Sequence, residues 1–313
     1  MEGSPIQQVK TPSRLKLLLA LSRTPHGVLD MATPGAAAVL AQGGVPPLGV
    51  TALGVVTAFA GYTAVYALND LMDYRNDRDR VRRQGPLESA PHLDAVFVRH
   101  PVALGLLSFK VGLVWALAWA ALAFLGAYIL NPICATIFMA GCALEAIYCL
   151  LLKITHLRTI VSGMVKTSGP LAAVFAVDPA PRWEFLTLLF LWLFFWEIGG
   201  QNVPNDLFDL DGDARLGAKT IPVRMGVDRA VVIILVSLAM SAVLSLCLSG
   251  FAPVRPGYLF AAGVSLAGIF LLLIPAYRLY RDRVPVNASA LFNRASFYPL
   301  AVLSVSVLST ILG

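Results

Sequence analysis

Residues 185–213 of the chain read FLTLLFLWLFFWEIGGQNVPNDLFDLDGD, an apolar run that changes abruptly to an acidic segment. Its first part, residues 185–203, is almost entirely apolar and long enough to cross a ~30 Å hydrocarbon core as an α-helix. Four aspartates follow between positions 206 and 213. The stretch therefore predicts a membrane-spanning helix whose end carries a concentrated acidic segment.

Apolar runs of this kind recur along the whole chain. Hydrophobic side chains make up 58% of the 313 residues, charged side chains only 13%, and the mean hydropathy is +0.74, which excludes an ordinary soluble domain. Backbone groups in lipid must be hydrogen-bonded within the protein. The sequence therefore predicts an all-α integral membrane protein with nine transmembrane helices. The nine apolar runs are residues 26–43, 50–68, 102–126, 132–152, 159–177, 185–203, 230–249, 257–277 and 296–312.

The distribution of Lys and Arg predicts the orientation. These residues collect in the N-terminal segment and in the connectors after the second, fourth, sixth and eighth runs, whereas the opposite connectors contain only Arg182 and Arg255. The positive-inside rule then places the N-terminus and the basic connectors in the cytoplasm. We expect one multi-pass domain over residues 1–313, with residues 1–14 as a flexible cytoplasmic tail. The pI of 9.3 follows from this topology and from attraction to anionic membrane lipid, so it does not indicate nucleic acid as a partner.

Acidic residues are concentrated in two short segments. Eight of the 18 Asp and Glu residues lie within residues 69–79 and 206–213. With about 100° of rotation per helical residue, Asn69, Asp73 and Asp77 project from one face. In the second segment Asp211 points to the far side of the helix. A similarly narrow sector there contains Asn202, Asp206, Asp209 and Asp213.

Both acidic stripes suit a hard divalent cation and a phosphate ligand. Each starts at the end of an apolar run, where several like charges are costly unless a cation neutralises them. Mg²⁺ prefers oxygen ligands and completes its shell with water and substrate phosphate. Two stripes that face each other would therefore hold a diphosphate through bridging metal ions. The alternative is an ordinary solvated helix end, with the carboxylates paired to the interleaved arginines.

Both segments resemble the Asp-rich motifs of one family, the UbiA superfamily of intramembrane prenyltransferases. The resemblance implies nine helices around a central cavity, with both motifs on the cytoplasmic side. Weaker similarities are Arg23-Thr24-Pro25 before the first run and the pair Tyr148 and Lys153 at the end of the fourth. The two segments that match the family motifs are Asn69-Asp70-x-x-Asp73-x-x-x-Asp77 and Asp209-x-x-x-Asp213-x-x-x-Gly217-x-x-Thr220-x-Pro222.

The segment after the first motif departs from the family pattern. Residues 83–90 read RQGPLESA. The usual Pro is kept as Pro86, but Gly85 stands where an Arg is usual and Ala90 where a Gly is usual. The change alters the expected contacts of this loop with diphosphate or acceptor and indicates a divergent member.

The resemblance also implies a reaction and roles for individual residues. The reaction is Mg²⁺-dependent transfer of a prenyl group from a prenyl diphosphate to an aromatic acceptor, of the quinone-precursor or specialised-metabolite kind, within the membrane. The implied diphosphate contacts are Arg23, Lys153, Lys219 and Tyr148. The implied metal ligands are Asp73, Asp77, Asp209 and Asp213, with Asn69 and Asp206 as further catalytic residues.

Other side chains within the apolar runs are further candidates for the functional site. Ionisable residues at membrane depth are functional candidates by default. Asp30, about one and a half turns beyond Arg23, is the candidate base or acceptor contact. Lys110 and Glu145 form either part of a site or a structural pair between adjacent helices. Aromatic side chains that can shield a carbocation are Phe195, Trp196, Tyr62 and Tyr66. The ionisable residues are Asp30, Lys110, Glu145, Lys166 and Glu197.

Two other functions compete with prenyl transfer. A membrane terpene cyclase uses the same metal site, but the substrate's own double bonds attack the cation and no acceptor is needed. A transporter also fits apolar helices with buried charges, but the sequence shows no internal repeat, and its acidic segments lie at one membrane face. A cyclic hydrocarbon formed from the prenyl diphosphate alone would select the cyclase.

The two stripes predict which aspartates are essential. Asp73→Ala and Asp213→Ala each remove a metal-facing carboxylate, and each should lower turnover at least about 100-fold, roughly 2.7 kcal/mol of transition-state stabilisation. Asp79→Ala and Asp211→Ala are the matched controls and should keep most of the activity, because helical geometry turns them away from the metal. Turnover at saturating Mg²⁺, with expression checked, measures all four. An inactive Asp211→Ala enzyme would contradict the second stripe.

Overall fold

A computed structural model describes residues 12–84, 92–252 and 257–312. Every regular element in these ranges is helical. Most of the predicted tail and most of the divergent segment 83–90 lie outside the described residues. The α-helices are α1 (Arg14–Leu21), α2 (Thr24–Asp30), α3 (Ala32–Gln42), α4 (Leu48–Met72), α5 (Tyr74–Gln84), α6 (Phe109–Leu130), α7 (Pro132–Leu150), α8 (Arg158–Val177), α9 (Trp183–Trp196), α10 (Val203–Phe208), α11 (Leu210–Leu216), α12 (Ile221–Met225), α13 (Val227–Cys247), α14 (Tyr258–Ala267), α15 (Ile274–Arg281), α16 (Pro285–Ala295) and α17 (Tyr298–Leu312).

Eight helices in the described part of the chain are long and apolar enough to cross a membrane. Two of them join consecutive α-helices through π-helical turns, at Glu197–Asn202 and Gly268–Leu273. The all-α membrane fold is therefore confirmed. The eight helices are Leu48–Met72, Phe109–Leu130, Pro132–Lys153, Arg158–Val177, Trp183–Phe208, Val227–Gly250, Tyr258–Arg281 and Pro285–Leu312.

The first predicted span, residues 26–43, is interrupted. It forms α2 and α3, which are separated at Met31, so the described residues contain eight continuous spans and not the nine predicted. Pro34 has no N–H to donate to the carbonyl of Asp30, four residues earlier. The hydroxyl of Thr33 donates to that carbonyl instead, at 2.9 Å. The break lies beside Asp30, whose side chain is fully buried.

The helices pack into a bundle with an extensive apolar core. α4 lies along α6, α7 along α8, and α9 along α13. Trp196 and Tyr298 are among the largest fully buried side chains. The indole N–H of Trp196 donates to the carbonyl of Ala295 at 2.9 Å, and the hydroxyls of Tyr298 and Ser245 lie 2.7 Å apart. These polar atoms are satisfied without water, as a membrane interior requires.

The π-helical segment Glu197–Asn202 shapes the interior of the bundle. All six of its residues are buried. Single π-helical turns inside α-helices are frequent at functional sites. Gly199 allows α13 to approach closely, because a Cβ at this position would lie 2.8 Å from Cβ of Ser237 and 2.9 Å from the backbone oxygen of Ile234. The segment is therefore held between the bundle interior and the backbone of α13.

This contact predicts that Gly199→Ala destabilises the protein. The added methyl group meets backbone as well as side-chain atoms of α13, and overpacking of this kind costs about 1–3 kcal/mol. Gly49→Ala is the matched control, because a Cβ at Gly49 meets nothing within 4 Å. We expect a lower melting temperature in detergent for Gly199→Ala and little change for Gly49→Ala. Equal melting temperatures would show that the contact with α13 is not tight.

Candidate active site

The first Asp-rich motif lies where α4 meets α5. α4 ends at Met72, and Asp73 occupies the C-cap position before α5 begins at Tyr74. The backbone N–H of Asp73 donates to the carbonyl of Asn69 at 3.0 Å, and that of Asp77 donates to the carbonyl of Asp73 at 2.9 Å. This four-residue spacing continues across the junction, so Asn69, Asp73 and Asp77 share one side and line one polar cleft.

The second motif lies at the junction of α10 and α11. Asp209 stands between the two helices, and Asp206, Asp209 and Asp213 line the same polar cleft. Asp211 is exposed outside the cleft. α11 continues past Asp213 and ends before Gly217, whose φ of 74° is left-handed. The structure therefore brings three of the four predicted stripe residues together.

Asn202, the remaining member of the predicted stripe, lies deeper in the bundle. Its amide nitrogen donates to the hydroxyl of Tyr148 at 2.9 Å, and its oxygen accepts from the hydroxyl of Thr159 at 2.8 Å. The π-helical turn that contains Asn202 breaks the regular α-helical periodicity on which the stripe was predicted.

The guanidinium of Arg158 lies 3.8 Å from the centre of the Tyr148 ring, which fixes this ring at the edge of the cleft.

The two motifs meet across the polar cleft, which has a volume of about 100 Å³. Arg80 on α5 pairs with Asp213 and also with Asp209, at 3.4 Å. Arg99 pairs with Asp209 at 3.2 Å. These contacts join the first motif's helix to the second motif, so both motifs lie at the same end of the bundle.

Cationic side chains line the cleft beside the carboxylates. His100 lies 2.7 Å from Asp70 and 2.9 Å from Asp77. The sequence could have predicted Arg80 as a cleft residue, since it follows Asp77 by about one helical turn. The other cations that sequence reasoning missed are distant from both motifs along the chain, so no sequence pattern indicated them. The cationic residues of the cleft are Arg23, Arg80, Arg99, His100 and Arg158.

Two predicted diphosphate contacts do not line the cleft. The side chain of Lys153 is exposed, because the turn Leu151–Lys153 buries its neighbour Leu152 at the cleft instead. The backbone N–H of Lys219 donates to the carbonyl of Leu152 at 2.8 Å, but the Lys219 side chain lies outside the cleft lining. Of the predicted cations, only Arg23 is a lining residue.

The predicted alternative in which Lys110 and Glu145 form a structural pair is wrong. Lys110 is exposed at the start of α6. Glu145 is buried and accepts a hydrogen bond from the amide nitrogen of Asn69 at 2.5 Å. The amide oxygen of Asn69 accepts from Arg23 at 3.1 Å, and Arg23 pairs with Asp94 at 3.3 Å. Glu145 therefore orients Asn69 at the edge of the cleft.

Crowding of carboxylates changes their acidity in the cleft. Burial, and then the charge of neighbouring Asp77, raise the pKa of Asp73 to about 6. Burial also raises the pKa of Asp213 to about 6, although Arg80 opposes this shift. A nearby cation favours the ionised form of a carboxyl group. Both carboxylates would therefore be stabilised by further positive charge in the cleft.

The oxygen atoms of the cleft fit Mg²⁺. The candidate ligands are carboxylate and amide oxygens, which are the hard ligands that this ion prefers. Two buried oxygens, Asp206 Oδ2 and Asn205 Oδ1, have no hydrogen-bond partner among the described residues. Such atoms are costly unless water, an ion or a ligand satisfies them. Ligand atoms of Asp70, Asp77 and His100 also lie within 4.8 Å of one another, but there the imidazole pairs with both carboxylates.

An apolar cavity of about 610 Å³ adjoins the polar cleft. Arg23, Asn69, Tyr148 and Asn205 line both spaces, so the cleft and the cavity are contiguous. Apolar side chains of α3, α4, α7 and α8 form most of the cavity wall. The site therefore joins a charged compartment to an apolar one.

The aromatic candidates divide between the cavity and the core. Tyr62 and Tyr66 line the cavity. Trp196 is fully buried, and Phe195 packs against the same apolar core. Trp196 and Phe195 therefore lie outside the cavity lining, contrary to the predicted shielding role.

Asp30 lies behind the cavity wall. Its carboxylate accepts hydrogen bonds from Tyr66 and, at 2.6 Å, from Lys166. Lys166 and Tyr66 line the cavity, whereas Asp30 is fully buried and does not. The predicted direct contact of Asp30 with an acceptor is therefore not supported, because the side chains that it holds occupy that position.

His100 provides a test of the charge balance in the cleft. Burial alone lowers the pKa of His100, but Asp77 and Asp70 outweigh burial and raise the pKa to about 9. A raised folded-state pKa gives stability that is complete below pH ~6.5, the unfolded value, and lost as the pH rises through the folded value. His100→Asn should therefore lower the melting temperature most in mildly acidic buffer and little in buffer more alkaline than the pKa of His100. Asn tolerates the φ of 53° at this position.

Melting temperatures in detergent and chelator across this pH range measure the effect. His156→Asn is the control, a matched substitution at a half-buried histidine in the turn before α8, outside the cleft lining. A loss in His100→Asn that does not change with pH would contradict the ion-pair interpretation.

Comparison with known proteins adds an independent line of evidence. The chain matches the model of the UbiA prenyltransferase family over residues 31–298. No curated protein matches it significantly. Its fold is similar to the apo structure of a UbiA homologue from Aeropyrum pernix K1, with 18% identity, coverage of 92% of this chain and 98% of that chain, and a TM-score of 0.73.

Two further solved structures share the fold. A UbiA homologue from Archaeoglobus fulgidus bound to GPP and Mg²⁺ is 17% identical, with coverage of 93% of this chain and 99% of that chain and a TM-score of 0.68. A structure of digeranylgeranylglyceryl phosphate synthase is 15% identical, with coverage of 95% and 98% and a TM-score of 0.65. The TM-scores and coverages establish a shared fold, and the family match covers most of the chain. The chain belongs to the UbiA prenyltransferase family.

Proposed function

We propose that this protein is a Mg²⁺-dependent enzyme that transfers a prenyl group from a prenyl diphosphate to an aromatic acceptor within the membrane. The observation that carries the proposal is the continuity of the polar cleft with the apolar cavity. A prenyl diphosphate has the same two parts, a charged head and an apolar chain. Family membership and the GPP and Mg²⁺ bound to the A. fulgidus homologue support this substrate class.

Carboxylates on both walls of the cleft would hold the metal. When bound, Mg²⁺ supplies positive charge that stabilises the diphosphate as a leaving group. Asn69 and Asp206 complete the oxygen set, and Glu145 orients Asn69 through its amide nitrogen. The residues proposed as metal ligands are Asp73, Asp77, Asp209 and Asp213.

Arginines of the cleft, in place of Lys153 and Lys219, contact the diphosphate in this proposal. Guanidinium groups bind phosphate oxygens through paired, charge-assisted hydrogen bonds. Arg158 stacks on Tyr148 at the boundary with the cavity, so Tyr148 positions a cation beside the reacting end of the diphosphate. The arginines proposed to contact the diphosphate are Arg23, Arg80, Arg99 and Arg158.

The apolar cavity protects the cationic prenyl group. Its lining excludes water, which would otherwise capture an allylic cation. Tyr62 and Tyr66 present aromatic rings to this space. Cation–π attraction to such rings is worth about 0.5–2 kcal/mol.

Ionisable side chains in the cavity favour an acceptor over internal cyclisation. Lys166 and Glu197 line this mainly apolar space. A carboxylate beside a cyclising carbocation would remove a proton from it or bond to it before rings form. In a transfer reaction the same groups can bind the polar part of an acceptor, so we favour transfer over the terpene cyclase.

We place the cleft on the cytoplasmic side of the membrane. The first motif's helix, α5, is rich in arginine, and Arg215 and Arg224 follow the second motif. The positive-inside rule assigns such connectors to the cytoplasm. Water-soluble pyrophosphate would then leave on the side where it is used or hydrolysed.

The proposal predicts an absolute requirement for Mg²⁺. Purified protein incubated with Mg²⁺, GPP and a panel of phenols should release pyrophosphate and form a prenylated phenol, as measured by mass spectrometry. Excess chelator should abolish both, because uncompensated carboxylates repel the diphosphate. Turnover in chelator would contradict the metal site. A cyclic hydrocarbon formed without any phenol would select the cyclase instead.

A further inference from the structure

A group of polar side chains lies deep in the wall of the apolar cavity. We name it the polar wall and define it as His26, Tyr66, Lys166 and Glu197, with Asp30 directly behind them. Lys166 Nζ lies 2.6 Å from Asp30 Oδ2 and 3.1 Å from the Tyr66 hydroxyl. Lys166 and Glu197 belong to membrane-spanning helices, where water is scarce and buried polar atoms need partners.

The hydrogen bonds of the polar wall leave two cavity-lining side chains incompletely satisfied. Glu197 is 6% exposed, and its Oε1 accepts from the Ser162 hydroxyl at 2.6 Å, but its Oε2 has no hydrogen-bond partner among the described residues. Lys166 Nζ lies 3.8 Å away from Oε2, too far for a hydrogen bond. His26 is 4% exposed, and its Nε2 is likewise unpaired within the described ranges, 3.6 Å from Asp30 Oδ1.

Glu197 is the acidic group of the polar wall that has no cation of its own. Lys166 pairs with Asp30, and Arg23 pairs with Asp94. Glu197 is a third carboxylate, and the nearest cation is already bonded to Asp30. The closest acidic partner of His26 is Asp94, at 2.6 Å. Neutral hydroxyl groups also lie around the wall, those of Thr33, Tyr62 and Ser162.

We infer that the polar wall binds the hydroxyl group of the acceptor and selects neutral phenols or alcohols over acceptors that carry a carboxylate. The inference rests on the proposed prenyl transfer and specifies its acceptor. The acceptor hydroxyl donates its hydrogen bond to Glu197 Oε2, and Lys166 Nζ donates to the acceptor oxygen. A carboxylate elsewhere on the acceptor would share this water-poor cavity with Glu197, and the repulsion between the two like charges opposes binding.

Aromatic rings around the polar wall fit the rest of such an acceptor. The His26 ring packs against Tyr66, with centroids 5.4 Å apart, and against Phe292, with centroids 5.2 Å apart. Tyr62 stacks on Tyr66 at 6.4 Å. Ligand sites commonly combine apolar and aromatic walls with a few polar groups that fix orientation. A phenolic ring satisfies both parts of this wall.

Binding of three matched probes tests the inference without any substitution. Methyl 4-hydroxybenzoate has the hydroxyl and no charge, methyl 4-methoxybenzoate lacks the hydroxyl donor, and 4-hydroxybenzoate carries a carboxylate. Dissociation constants are measured by thermal shift with detergent-solubilised protein, Mg²⁺ and an unreactive thio analogue of GPP. We expect the neutral phenol to bind about tenfold more tightly than either of the other probes, because the ether loses one buried hydrogen bond and the carboxylate brings a like charge into the cavity.

Substitution at Glu197 tests whether this side chain causes the differences in affinity among the probes. Glu197→Gln keeps the shape but removes the charge, so it should bring all three dissociation constants within about threefold of one another. Ser162→Ala removes the hydroxyl that orients Glu197, so it should also reduce the differences among the three dissociation constants. This variant replaces Glu197→Gln in the test if Glu197→Gln does not fold. Glu184→Gln is the control, since Glu184 lies in the first turn of α9 outside the cavity lining, and should keep the wild-type ratios.

Tight binding of 4-hydroxybenzoate to the wild-type protein, equal binding of the methyl ether, or wild-type ratios in Glu197→Gln would each overturn the inference. Pyrophosphate release from GPP, measured in parallel, distinguishes failure of the acceptor-binding inference from failure of the proposed prenyl transfer. If release occurs while the probe ratios fail, the polar wall does not select the acceptor but the diphosphate chemistry stands. If no release occurs with any acceptor, the proposed function itself fails.

Discussion

A hydrocarbon core offers neither water nor counter-ions, so every charge near it needs a partner from the protein or from a ligand. This constraint organises the whole site. Two acidic motifs at the ends of apolar helices are tolerable only because cations from other elements reach them. Arg80 joins the first motif's helix to Asp209 and Asp213, and His100 joins Asp70 to Asp77. The contacts of Arg80 fix how the two acidic motifs face each other.

Departures from regular helix geometry position the functional groups. The break at Met31 separates α2 from α3 beside Asp30, and the π-helical turn turns Glu197 and Asn202 into the bundle interior. At the first departure Pro34 removes a helical hydrogen bond, and at the second Gly199 admits the backbone of α13. The site thus combines regular helices, which carry the acidic stripes, with irregular turns, which carry the polar wall.

Charge divides the interior into two compartments with different chemistry. The polar cleft concentrates carboxylates and arginines, as binding of a metal and a diphosphate requires. The cavity beyond it is mainly apolar, and the polar wall is among its polar parts. Asn69 and Tyr148 border both spaces, and each is held by hydrogen bonds or stacking from the interior side. A substrate with a charged head and an apolar tail would be oriented by this division alone.

The sequence by itself determined the membrane fold and the first acidic stripe, because both depend on local periodicity. Helix length follows from the length of an apolar run, and residues four apart share a helix face wherever the backbone stays α-helical. Only the tertiary structure decided which cations serve the cleft, because Arg99, His100 and Arg158 reach it from remote elements while Lys153 turns outward. It also separated Lys110 from Glu145, since pairing depends on how helices rotate against each other, which no local pattern encodes.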